Sequence, residues 1–113
     1  MKGAVGTTVR VVLTTAPTVE VAEQLGTALV EERLAACASV VPGMTSIYRW
    51  QGEVRRESEV LVLLKTTVDS VERLRARLVE LHPYDVPEVL ALGVEAGHQP
   101  YLAWVEAEVG PLA

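Results

Sequence analysis

Phenylalanine and asparagine are absent from this chain, cysteine occurs once, and aromatic residues make up only 4% of it. The lone Cys37 excludes a disulfide within the chain, and a reducing, cytoplasmic setting is the expected one. No apolar run approaches the ~20 residues of a membrane span. The opening segment MKGAVGTTVR lacks the apolar centre of a signal peptide. Basic residues are scarce, 10 Lys and Arg against 15 Asp and Glu. Nucleic acid and anionic membranes demand a basic face, so neither is an expected partner. The glycine loops that cradle nucleotide phosphates are missing, as are the GxSxG elbow, HExxH and CxxC. No base–nucleophile pair can be read off the chain, so neither enzyme activity nor an organic cofactor is expected.

What remains is rich in core-forming residues. Half of the 113 residues are hydrophobic, enough for a single domain over 1–113 with its own core. The stretch Ala36 to Thr67 reads as one long antiparallel hairpin turning at Gln51-Gly52, where glycine tolerates the positive φ of a two-residue loop. Ser46, Tyr48 and Trp50 share one face of its first arm. Val60 to Leu64 is a continuous apolar run in the second. Arms of about 14 residues at roughly 3.3 Å each span about 45 Å. A compact domain of this length has a radius of gyration of only ~13 Å. The hairpin should therefore overhang its own core and be covered by further copies of the chain.

Around that hairpin the order is strand, helix, strand, strand, helix, strand, helix. Val9–Leu13 is the predicted first strand, Thr14 to Pro17 a loop, and Thr18 the cap of a helix over 19–33. Pro42-Gly43 predicts a bulge. Asp69 and Glu72 have the form of a capping box before a helix striped by Val71, Leu74, Leu78 and Leu81. Val89–Val94 is the expected last core strand. Pro100 opens a final helix that Gly110-Pro111 stops. The pattern is α+β: a ferredoxin-like βαββαβ sandwich with an extra C-terminal helix.

Few residues are candidates for chemistry. Cys37 is a small core residue, or else a soft metal ligand or reactive thiol. His82 either complements a helix C-terminus or acts as a ligand, with Tyr84, Asp85 and Glu88 following on a loop stiffened by Pro83 and Pro87. Lys65 closes an apolar strand, where it either snorkels or meets an anion. Tyr48, Trp50 and Trp104 read as interface or core.

The segments LAACASVVPGMTSIYRWQGEV, SEVLVLLKTT, HPYDVPEVLAL and YLAWV, in that order, resemble the CutA family of divalent-cation tolerance proteins. The resemblance spans Val9 to Val109. It implies a fold related to PII-type signalling proteins, a homotrimer whose hairpins pack on neighbouring subunits, and response to divalent metals such as Cu(II). The copper-ligand set it implies falls on Thr14, Leu81 and His82, of which only His82 keeps a ligand side chain. The metal candidates are thus His82 and Cys37. The alternative is a PII-like small-ligand cleft between subunits lined by Lys65, Tyr84, Glu88 and Trp50, with Tyr48, Trp50 and Trp104 at the trimer interface.

Overall fold

The computed structural model describes residues 6–111. The start of the segment read for a leader, and both outer ends of the 1–113 domain, lie outside the described residues. Four antiparallel strands and three helices follow one another as β1 (Val9–Ala16), α1 (Val19–Glu31), β2 (Cys37–Trp50), β3 (Glu53–Thr67), α2 (Val71–Leu81), β4 (Leu90–Gly93) and α3 (Gln99–Glu108). The sheet order is β2-β3-β1-β4, the arrangement of the ferredoxin-like sandwich.

The hairpin turns where glycine was expected to allow it. Gln51 and Gly52 take φ of 51° and 82°. Positive φ at both central residues marks the turn whose twist matches paired strands, which fixes register. Tyr48 thus faces Arg55, Ser46 faces Glu57 and Trp50 faces Glu53. Pro42-Gly43 makes a bulge, as predicted: pairing jumps from Val41↔Leu61 to Met44↔Glu59, with Gly43 at φ 84°. Two β2 residues there oppose one on β3, which bends the distal hairpin. The molecule measures 45 Å along its longest axis with a radius of gyration of 15.1 Å. That exceeds the ~13 Å of a compact chain of this length, as an overhanging ribbon requires.

Alternation divides the sheet into two faces. Val12, Ala16, Val60, Val62 and Leu64 point to the helices and pack with Leu25, Leu29, Leu74 and Leu78 in the main core. The opposite face carries Val11, Leu13, Leu61 and Leu63, all half-buried. Helix α3 covers only one end of that face, where Leu102 and Val105 meet Val9 and Ala36.

Four local expectations need correction. Thr14, Thr15 and Ala16 are strand, not loop, because they pair with Val62, Leu61 and Val60. Helix α1 stops at Glu31, because Arg33 adopts φ 60° and the Leu34 amide turns back to the Leu29 carbonyl. Ser70, not Asp69, caps α2. Its backbone is already helical, so no side chain caps the first turn, and Glu72 bonds forward to Arg75 at 2.9 Å. Strand β4 is shorter than 89–94 and is no core strand. It lies at the sheet edge beyond β1, where Leu90 and Leu92 are about half exposed. The Thr18 cap stands as expected, its Oγ1 accepting from the Val21 amide at 3.1 Å.

Candidate functional site

The site is built by the hairpin register. A two-residue turn at Gln51-Gly52 puts Tyr48, Arg55, Glu57 and Glu59 on one side of the distal ribbon, because directly paired residues share a face. Opposite them stands the connector after α2, stiffened by Pro83 and Pro87. Between ribbon and connector lies a cavity of about 560 Å³, walled by Trp50, Tyr48 and Tyr84 and lined by Glu57, Glu59, Asp85 and Glu88.

Two tyrosine hydroxyls organise the acidic side. The Tyr84 hydroxyl donates to Glu59 Oε2 at 2.8 Å, and that of Tyr48 donates to Glu57 Oε1. Burial, and then the bond to Glu59, push the Tyr84 hydroxyl well above the usual tyrosine range. The bond to Glu57 raises that of Tyr48. A hydroxyl that donates to a carboxylate resists losing its proton, since the phenolate would face a like charge.

His82 holds the connector against the sheet. It is buried, 7% exposed. The Tyr84 amide donates to its Nδ1 at 3.1 Å, so the proton sits on Nε2, which donates to the Thr15 carbonyl at 2.7 Å. Its ring packs on that of Tyr84 with centroids 4.7 Å apart. Both nitrogens are engaged within the chain, so a metal ion would have to displace one of these bonds to reach the ring. Thr14 lies beside this junction with a buried Oγ1 that has no partner. A hydroxyl and the neighbouring Leu81 give a divalent copper ion nothing to replace an imidazole pair.

The remaining candidates lie elsewhere. Cys37 pairs with Lys65 near the α3 end of the sheet, with Lys65 Nζ 3.5 Å from Cys37 Sγ and 3.4 Å from Ser39 Oγ. Cys37 Sγ also approaches the Tyr101 hydroxyl at 3.7 Å. It is half-buried rather than a core residue. The structure thus brings Trp50, Tyr84 and Glu88 together with Tyr48, leaves Lys65 out of that cavity, and separates His82 from Cys37. Trp104 stacks on Tyr101 in α3, at the far end of β3 from Trp50. Among the described residues no three His, Cys, Asp or Glu side chains are grouped to hold a metal ion. Glu57 and Glu59 were not singled out from sequence. Counting the register back from Gln51-Gly52 would have found them.

Residues 10–108 match the family described as CutA1 divalent ion tolerance protein. The chain belongs to the CutA family. It is 53% identical over 100 residues to the divalent-cation tolerance protein CutA of Thermus thermophilus, covering 88% of this chain and 97% of that one. The solved CutA structure from Xylella fastidiosa superposes with a TM-score of 0.90 at 39% identity, covering 92% of this chain and all of that one. The solved Cut A1 structure from Thermus thermophilus gives 0.88 at 52% identity, covering 90% and 99%. The CutA resemblance and the ferredoxin-like architecture read from sequence both hold.

Proposed function

We propose that this CutA chain is a cytoplasmic homotrimer that responds to divalent cations such as Cu(II) by binding them, without catalysis. The observation that carries the assembly is the open sheet. Its two outer strands, β2 and β4, are different and, among the described residues, unpaired on their outer sides, and the apolar face between them is only partly covered. Unlike edges can meet head to tail and form a ring where the rotation between copies closes, and a closed ring of three is what the family resemblance implies. The ribbon tip favours the same geometry. Its other face carries Ile47 and Val54, 60% and 63% exposed, apolar surface that a neighbouring copy would cover.

The cation is then a matter between copies. With both His82 nitrogens engaged and no three donors grouped among the described residues, a site of three or more protein ligands would draw side chains from more than one subunit. Sedimentation of the dilute protein, with Cu(II) titration against a competing chelator, tests the proposal. A trimer mass and saturable binding are expected. A stable monomer would remove the assembly, and absence of saturable binding would remove the metal.

The cavity favours a second reading, a small-ligand trimer of the PII type. Its 560 Å³ suits a small organic molecule, and Trp50, Tyr84 and Glu88 all line it. A thermal-shift screen separates the two readings, because a ligand of the native state raises the melting point.

A further inference from the structure

We propose that the cavity between the distal hairpin and the 83–88 connector binds an organic cation, an aliphatic di- or polyamine, lodged between the rings of Tyr48, Trp50 and Tyr84 and the carboxylates of Glu57, Glu59, Asp85 and Glu88. The proposal rests on the small-ligand reading of this cavity and names the class of ligand. Sign comes first. Four carboxylates line the cavity against one cation, Arg55, which is already paired with Glu53 at 3.4 Å. Phosphate-bearing ligands such as nucleotides are repelled there and ammonium groups are drawn in.

Spacing comes second. Glu57 and Glu59 are two residues apart on one strand, so their side chains leave the backbone about 7 Å apart. No three carboxylates converge on one point among the described residues. A compact metal ion needs such convergence. A chain with charges several ångströms apart does not. Each glutamate spends one oxygen on a tyrosine hydroxyl, Glu57 Oε1 on Tyr48 and Glu59 Oε2 on Tyr84. The second oxygen of each keeps its acceptor capacity for an ammonium N–H. The walls come third. Three rings give faces that attract a cation and cover the methylenes between its charges.

The test is calorimetric titration and thermal shift of the assembled wild-type protein with 1,4-diaminobutane and spermidine. Magnesium chloride serves as the point cation, ADP and inorganic phosphate as anions, and 1,4-butanediol as the neutral isostere. Saturable amine binding that the diol and magnesium do not reproduce, weakened about tenfold by Glu59→Gln, is the expected result. ADP or phosphate binding without amine binding would overturn the ligand class and leave the small-ligand reading standing. No binding in any arm would take down both. Equal effects of magnesium and amine would reduce the site to charge screening and overturn the proposal. So would a Glu59→Gln protein that binds amines as the wild type does. A Glu59→Gln protein that dissociates and shows no amine effect would assign the cavity to Arg49 and Arg56 of a second copy, and also overturn it.

Discussion

The imidazole of His82 donates to the carbonyl of Thr15 across 2.7 Å, and so ties the end of α2 to the middle strand pair of the sheet. The same ring accepts the Tyr84 amide, which makes it a clamp on the connector. His82→Ala would leave a buried carbonyl and an amide without partners, at about 1–3 kcal/mol each. The expected outcome is a lower urea midpoint with unchanged Cu(II) affinity. Copper binding that disappears with this substitution would contradict the hydrogen-bonding role.

Thr14 offers the opposite experiment. Its hydroxyl is fully buried in the strand face that meets the helices, with no partner. Thr14→Val keeps the shape and removes the unpaired polar atom, whose burial costs about 1–3 kcal/mol. The melting temperature is expected to rise. A fall would mean that Oγ1 makes a bond in solution.

Gly26 marks where α1 lies closest to the sheet. A Cβ there would stand 2.8 Å from the Ala38 Cβ, well inside contact distance. Gly26→Ala gains up to about 1 kcal/mol of helix propensity but incurs an overpacking cost of about 1–3 kcal/mol. Net destabilisation is expected, and Ala38→Gly in the same chain should relieve it. Chemical denaturation of the two single variants and the double variant measures the coupling.

Trp50 stands 42% exposed at the ribbon tip. Large aromatics at a subunit seam carry about 2 kcal/mol or more of association energy. Trp50→Ala should shift the assembly toward smaller species in sedimentation at low micromolar protein. An unchanged mass with a wild-type melting point would move Trp50 off the seam.

Alkali should loosen the connector. The Tyr84 hydroxyl has its pKa raised by burial and by Glu59. A group raised in the folded state adds stability that is complete below the unfolded value, about 10 for tyrosine, and is lost as pH climbs through the folded one. Stability should therefore decline above roughly pH 10. Tyr84→Phe should flatten that limb, and unfolding midpoints measured across alkaline pH would show it. Identical slopes in both proteins would count against the Tyr84–Glu59 bond.

The elements legible in advance were those set by neighbouring residues. Thr18 caps α1 because a threonine side chain reaches the amide three residues on. Gln51-Gly52 turns the hairpin because glycine accepts positive φ. Pro42-Gly43 bulges because proline has no amide to give the ladder. The Leu74 and Leu78 stripe lies at helical period whatever it packs against. Ribbon length, and with it the overhang, also followed from residue count.

Long-range pairing settled the rest. Nothing local makes Thr14 to Ala16 a strand; they extend because β3 supplies partners for their amides and carbonyls. Nothing local exposes Leu90 and Leu92; they stand about half exposed because the topology sets β4 at an edge, while Val89 and Val94 on either side of it pack on the two cores. The surroundings of His82 were decided by a carbonyl 67 residues away along the chain, to which its ring is hydrogen-bonded. Lys65 lies outside this chain's own cavity for a similar reason, since it pairs with Cys37 at the opposite end of the hairpin from Trp50. Side-chain chemistry could be read residue by residue, but which groups share a site depends on contacts between residues far apart in sequence.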